Sequence, residues 1–146
     1  AEGWRAEEAY NYINDHVTTV LEADAIMCGN DNLAGQAIKA LSERRLAGKV
    51  LVVGQDAELE ACQRIVEGTQ LMTVYKPVEK LAKEAAEMVV KMVRGEALNT
   101  TDTIFDGVYT VPYKKLVPIM VTRDNIDAVI IDGGFHRREQ VYLNLD

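Results

Sequence analysis

The sequence predicts an α/β protein built on a parallel β-sheet. Three short apolar runs, at residues 25–28, 50–53 and 71–75, each stop at a polar residue or turn and lead into a helical pattern. Buried strands that alternate with helices favour right-handed crossovers and parallel pairing. The composition agrees, because 146 residues with 48% hydrophobic and 27% charged side chains suit one soluble domain or part of one.

Charge and hydropathy argue against several classes of partner. A formal net charge of -7 disfavours surfaces that must neutralise phosphates, so nucleic acid is not an expected partner. No window approaches the roughly 18 apolar residues of a membrane span, so membrane insertion is not expected either. Ala1 opens a stretch without the regions of a signal peptide, which predicts a cytosolic or already processed chain. Cys28 and Cys62 match no metal or redox spacing and are expected to be buried free thiols.

The first helix is predicted over residues 5–22, where apolar side chains recur at helical spacing. Trp4 stands just before it, in a loop. A tryptophan at such a junction is more often a packing anchor than a ligand contact. Because an indole can also stack on the CH face of a sugar ring, Trp4 is a second-rank candidate for a binding site.

Polar residues stand between the strands and the next two helices. Asn30 or Asp31 can cap the helix that follows the first strand. Asp56 precedes a helix predicted over 57–67 and closed by Gly68, so it too can be a cap. Taken singly, each acidic residue is more typical of a cap than of a ligand contact.

The third crossover helix is predicted from residue 78 to about Arg94. Pro77 suits its first turn, one face of the helix is apolar, and Gly95 follows its end. Residues 99–103 are polar and are predicted to form a loop.

The last third of the chain predicts a hairpin, an edge strand and a short helix. Asp106-Gly107 separates strand candidates at 103–105 and 108–110, which is a hairpin signal. Pro118 demotes the strand candidate 116–121 to a sheet edge. Thr122 is expected to cap a helix over 123–131, and the structure of the tail from Phe135 stays open.

Asn30, Asp56 and Lys76 follow the three predicted strands, so their side chains are expected to converge. Ligands of open parallel sheets bind outside the carboxyl ends of the strands. A carboxamide that donates and accepts, a carboxylate that accepts and an ammonium that donates together match the hydroxyls of a small polyol or sugar.

Catalysis is not predicted. Asp31 and Asp56 could be imagined as the paired carboxylates of a glycosidase, but capping explains them equally well. His16 and His136 lack a nucleophile elbow or zinc spacing, and Gly29 and Gly54 are single glycines rather than a phosphate loop. We therefore expect a protein that is not an enzyme and that has no cofactor or metal.

Five segments closely resemble bacterial D-xylose-binding proteins, which are type I periplasmic binding proteins that serve ABC sugar importers. The segments read CGNDNLAGQAI at 28–38, VVGQDAE at 52–58, GTQLMTVYKP at 68–77, VPIMVTRDNI at 117–126 and IIDGGFH at 130–136. The likeness spans nearly the whole chain. The TVYKP string is its most specific part.

The resemblance implies the carboxyl-terminal part of a two-lobed fold that clamps a sugar, with no amino-terminal lobe in this chain. Residues 1–76 would form the carboxyl-terminal lobe, 77–110 would cross to the other lobe with one helix, and 111–146 would return. Asn30, Asp56 and Lys76 match the family's sugar-contacting positions, and Trp4 resembles its aromatic wall. The implied ligand is D-xylose or a similar monosaccharide. The implied partners are the amino-terminal lobe and an ABC permease or membrane sensor kinase, in a periplasmic or extracellular, membrane-associated location.

Two other classes of function stay open from sequence. The effector-binding core of a sugar-responsive transcription regulator shares this architecture, although the acidic charge and Lys76 argue against it. The second class is a structural or interaction domain, in which Asn30 and Asp56 only cap helices.

Overall fold

A four-stranded sheet organises the first of two units in the computed structural model, which describes residues 1–100 and 102–145. The first unit comprises Ala1–Tyr75 and the chain from Met120 onward, and the second comprises Lys76–Ile119. The helices are a 3₁₀ turn Glu2–Trp4, α1 Ala6–Asp15, α2 Val17–Leu21, α3 Asp31–Ser42, α4 Leu59–Glu67, α5 Val78–Val93, a π-helix Asp127–Ile131 and α6 Arg138–Val141. The strands are β1 Ala25–Met27, β2 Leu51–Val53, β3 Met72–Tyr75, β4 Asp102–Phe105, β5 Thr110–Tyr113 and β6 Ile119–Thr122.

The sheet has the strand order β1-β2-β3-β6. β1 and β2 pair in parallel with Ile26 opposite Val52, and β2 and β3 pair in parallel with Val53 opposite Met72. These pairs confirm the predicted parallel sheet. β6 lies at an edge of the sheet, as predicted, but it begins at Ile119 rather than at residue 116. Pro118 directly precedes it and has no backbone N–H to donate to a strand ladder.

The amino-terminal helical region contains a break. His16 has φ -119° and ψ 38°, which ends α1 before α2 begins, so the single helix predicted over residues 5–22 is wrong. The His16 ring stacks on Tyr12 with centroids 4.1 Å apart, and its Nδ1 lies 3.0 Å from the Tyr12 carbonyl oxygen. Hydrophobic periodicity does not detect this break, because the apolar spacing continues across it.

The core of the first unit consists of two clusters of buried apolar side chains. One joins α1, α3 and the strands β1 and β2, and includes Ile13, Leu41 and Val52. The other joins α4, β6, the π-helix and α6, and includes Ile65 and Ile130. The tail after Phe135, whose structure the sequence left open, therefore folds back as α6 and contributes to a core.

Two predicted helix caps are wrong. α4 begins at Leu59 with Glu58 at its N-cap, so Asp56 lies outside the helix and is not its cap. Thr122 caps no helix either, because residues 123–125 form a turn in which Asn125 Oδ1 accepts a hydrogen bond from the Thr122 amide at 2.8 Å. The helical segment beyond that turn is the π-helix, which starts at Asp127.

The second unit contains α5 and an antiparallel hairpin of β4 and β5, with Phe105 opposite Thr110. Asp106 Oδ1 closes the turn by accepting from the amides of Val108 and Tyr109, so the hairpin is confirmed with its second strand displaced by two residues. Pro77 is the N-cap of α5 rather than part of its first turn. The predicted loop 99–103 is too long, because β4 begins at Asp102; residue 101 lies outside the described residues.

Candidate ligand-binding site

Asn30 is the N-cap of α3 and follows the carboxyl end of β1. Its Oδ1 accepts a hydrogen bond from the Leu33 amide at 2.9 Å, and its backbone is extended. Because the carbonyl oxygen of the side chain serves the helix, Nδ2 is the group that can donate to a ligand. Capping and ligand binding are therefore compatible roles for this one side chain.

Asp56 follows β2 in an unusual backbone conformation. Asp56 has φ 103° and Ala57 has φ 54°, so two successive non-glycine residues adopt positive φ. Such residues cost of the order of 1–3 kcal/mol each and cluster at functional sites. The Asp56 amide donates to Val74 O at 2.9 Å, which ties the turn to β3.

The loops after β1 and β2 contact each other directly. The Asp31 amide donates to Gln55 O at 2.8 Å, and Gln55 Nε2 donates to Gly29 O at 3.4 Å. Each bond joins a neighbour of Asn30 to the residue before Asp56. The structure therefore brings the two loops with these predicted site residues together at the carboxyl edge of the sheet.

Trp4 lies beside the loop that carries Asn30. A Cβ atom placed on Gly29 would be 2.6 Å from Cζ3 of the indole, so the ring covers the backbone of Gly29. Trp4 is 64% exposed and has φ 61° in the 3₁₀ turn. An exposed indole over the residue next to Asn30 presents an apolar wall at this edge.

Lys76 directly follows Tyr75, the last residue of β3, and is the first residue of the second unit. Its side chain is exposed. Its convergence with Asn30 and Asp56 on one ligand stays a prediction.

Asp31 is a buried carboxylate whose role the sequence did not reveal. It is 0% exposed and accepts hydrogen bonds from Gln70 Nε2 at 2.8 Å, Thr73 Oγ1 at 2.7 Å and the Glu58 amide at 3.1 Å. Burial raises the pKa of this carboxyl, and the bonds from Thr73 and Gln70 act in the opposite direction. The sequence signal for this buried polar cluster is the pair Gln70 and Thr73, which are polar residues before and within the otherwise apolar strand β3.

The carboxyl-terminal tail also reaches this edge. His136 Nε2 lies 2.8 Å from the Ala57 carbonyl oxygen, and the Phe135 ring lies 4.7 Å from that of Tyr75. Phe135 and His136 thus pack behind the turn that carries Asp56. Sequence reasoning missed this contact, since 79 positions separate His136 from Ala57.

A cavity of about 340 Å³ opens at the carboxyl ends of β1 and β2 and beside β3. It is lined by Met27, Cys28, Gly29, Val53, Gly54, Gln55, Met72 and Val74. Within residues 1–100 and 102–145, no three His, Cys, Asp or Glu side chains are grouped to hold a metal ion. No helix in that described part combines the length and the apolar character needed to cross a membrane.

Comparison with known proteins defines the class. Residues 1–97 match the family model described as "Periplasmic binding protein domain". A solute-binding protein of a carbohydrate transporter from Chloroflexus aurantiacus, solved in complex with D-glucose, superposes with a TM-score of 0.82 at 28% identity, over 94% of this chain and 42% of that one. A Clostridium phytofermentans ABC transporter solute-binding protein with bound β-D-glucose gives a TM-score of 0.80 at 25% identity, over 95% of this chain and 45% of that one.

The chain therefore belongs to the periplasmic binding protein domain family and has the α/β architecture of the type I fold. It is 42% identical over 142 residues to the D-xylose-binding periplasmic protein of Haemophilus influenzae, and 40% identical over 141 residues to that of Escherichia coli. These matches cover 97% and 96% of this chain but 43% of each relative. The resemblance seen in the sequence is confirmed, and the chain spans less than half the length of these relatives.

Proposed function

We propose that this chain is the carboxyl-terminal part of a periplasmic sugar-binding protein for D-xylose or a similar monosaccharide, and that it is not an enzyme. The observation that carries the proposal is its identity of 42% and 40% to two D-xylose-binding periplasmic proteins. The sugar would be held between this lobe and an amino-terminal lobe, in ABC-type uptake or extracellular sugar sensing.

Asn30, Asp56, Lys76 and Trp4 are the proposed sugar contacts. Asn30 donates through Nδ2, Asp56 accepts from two hydroxyls, and Lys76 donates to a ring or hydroxyl oxygen. Trp4 stacks on the apolar face of the ring. The direct contact between the loops that carry Asn30 and Asp56 supports this assignment. The alternative interpretation of Asp56 as a helix cap does not apply, because α4 starts at Leu59 with Glu58 as its N-cap.

The second unit supports the proposed two-lobed assembly. α5 contributes no buried residue along its length, although it is amphipathic, and Leu81, Val89 and Val93 are 55%, 57% and 84% exposed. Exposed apolar stripes of this kind mark a surface that another part of a protein covers. We propose that residues 77–110 pack on the amino-terminal lobe and that the segment from residue 111 leads the chain back to the first unit, which it rejoins at Met120.

Calorimetric titration of the complete two-lobed protein with D-xylose tests the proposal. Asn30→Asp keeps the oxygen that caps α3 but removes the donor, so it should weaken binding while leaving the melting temperature nearly unchanged. Asp56→Asn and Lys76→Met should also weaken binding. Hydrogen bonds to charged groups contribute about 1.5–3 kcal/mol each, which corresponds to roughly 10- to 150-fold in Kd.

Matched substitutions on exposed surfaces serve as controls. Asn32→Asp, Glu60→Gln and Lys80→Met make the same chemical changes at exposed positions, and each should leave the Kd within about twofold, as is usual for surface changes. The absence of heat with D-xylose and related monosaccharides would overturn the proposed function. Unchanged affinity in the three site variants would overturn the assignment of contacts.

A further inference from the structure

Asp31 binds the turn that carries Asp56 at both of its ends. Its amide donates to Gln55 O at 2.8 Å, and its Oδ2 accepts from the Glu58 amide at 3.1 Å. Residues 56 and 57 therefore lie between two hydrogen bonds to one residue, which is also the chain neighbour of Asn30. From this geometry we propose that Asp31 is the positioning residue of the site, fixing Asp56 relative to Asn30. The inference rests on the proposed function.

The turn needs external support. Asp56 and Ala57 both have positive φ, a conformation that side chains with a Cβ disfavour and that persists when surrounding contacts determine it. Thr73 helps, because its Oγ1 accepts from the Ala57 amide at 3.1 Å while it donates to Asp31 Oδ2 at 2.7 Å. The Asp31 carboxylate thus holds the turn both directly and through Thr73.

Both side-chain oxygens of Asp31 must act as hydrogen-bond acceptors, because each faces a donor whose orientation is fixed. Gln70 donates to Oδ1, and it cannot turn its amide over without losing the bond that its Oε1 accepts from Arg64 Nε at 2.9 Å. Arg64 is itself fixed by a bond from Nη2 to Asp31 O at 3.0 Å.

An asparagine at position 31 would therefore place its NH₂ group against a donor in either orientation. One orientation faces Gln70 Nε2, and the other faces the Glu58 amide. Buried donors without acceptors cost about 1–3 kcal/mol, so the turn is expected to relax from its strained conformation. Asp31→Asn should then misplace Asp56 although the side chain at position 31 is itself fully buried.

The experiment measures the Kd for D-xylose by calorimetry in the complete two-lobed protein, at a temperature where circular dichroism shows each variant folded. Asp31→Asn should weaken binding by about tenfold, and in an Asp56→Asn background the same change should weaken it less than about threefold, because coupled residues are not additive. Ile65→Val is the control: it removes a buried methyl group from α4, lowers the melting temperature and should leave the Kd unchanged.

The outcomes separate this inference from the proposed function. Unchanged affinity in Asp31→Asn, or equal effects in both backgrounds, overturns the positioning role, provided that Asp56→Asn alone weakens binding. Unchanged affinity in Asp56→Asn overturns the site itself. If Asp31→Asn fails to fold, Thr73→Val removes one donor to Oδ2 and should weaken binding about threefold or more, and normal affinity in that variant overturns the inference.

Discussion

The indole of Trp4 lies directly over the backbone of Gly29, with Cζ3 2.6 Å from the position that a Cβ atom would occupy. A glycine is required here by close approach rather than by a left-handed backbone, since Gly29 has no positive φ. Any larger residue at this position must displace the ring. The absence of a side chain at Gly29 therefore determines how closely the Trp4 ring can approach the loop that carries Asn30.

Gly29→Ala should weaken D-xylose binding by moving the Trp4 ring. Pairs of aromatic rings contribute about 0.5–1.5 kcal/mol beyond area burial, and a loss of similar size at the indole corresponds to roughly two- to tenfold in Kd. Calorimetry of the two-lobed protein checks the effect. In a Trp4→Ala background Gly29→Ala should have no further effect, and an undiminished effect there would show that Gly29 acts by another route.

Gly54 leaves room for the Asp31 carboxylate. A Cβ at this position would be 2.1 Å from Asp31 Oδ1 and 3.0 Å from Gln70 Nε2. Overpacking of a well-packed interior costs about 1–3 kcal/mol, so Gly54→Ala should lower the free energy of unfolding by at least that amount. Denaturant unfolding followed by circular dichroism measures it. The loss should shrink when Asp31 is also replaced by alanine, and an equal loss in both backgrounds would contradict the contact.

Asp127 anchors α6 and should make its attachment sensitive to acid. A hydrogen bond from Tyr142 Oη at 2.8 Å and the ion pair with Arg138 lower the pKa of the Asp127 carboxyl. A lowered pKa stabilises the fold above the unfolded value of about 3.9, and this stabilisation is lost as the pH falls through the folded value.

Asp127→Asn should therefore lower the melting temperature at pH 7 and have a much smaller effect near pH 2. The loss at neutral pH should correspond to about 1 kcal/mol or less, because the Asp127 side chain is 45% exposed. Scanning calorimetry at the two pH values measures the difference. Asp124→Asn, on the exposed turn before the π-helix, is the control, and an effect of Asp127→Asn that is equal at both pH values would contradict the linkage.

The two cysteines should differ in reactivity. Burial raises the pKa of the Cys28 thiol to about 11 and that of Cys62 to about 12, and Cys62 is 0% exposed whereas Cys28 is partly exposed. Because the thiolate is the reactive form, iodoacetamide at pH 8 should label both slowly in the folded protein, with Cys28 ahead of Cys62. Peptide mass spectrometry against time checks the order. Faster labelling of Cys62 would contradict its burial on α4.

The strands β1 to β3 and the helices α4 and α5 could be predicted because they depend on local patterns. Apolar runs at 25–28, 50–53 and 71–75 mark β1, β2 and β3 to within a residue, and Gly68 ends α4 in a left-handed conformation. The break at His16 could not be predicted, since the apolar spacing of α1 continues into α2.

The candidate site was predicted in part. Asn30 and Asp56 could be placed on neighbouring loops from their positions after strands, a consequence of parallel topology. The support of those loops could not be predicted, because Asp31, Glu58, Gln70 and Thr73 meet through tertiary packing. The same holds for His136, whose contact with Ala57 depends on how the tail folds back.

A crystal structure of the complete two-lobed protein with D-xylose tests the central claim most directly. The expected result is one sugar with hydroxyls within hydrogen-bond distance of Asn30 Nδ2, the Asp56 carboxylate and Lys76 Nζ, and with a ring face against Trp4. A bound sugar that touches none of these side chains would contradict the account.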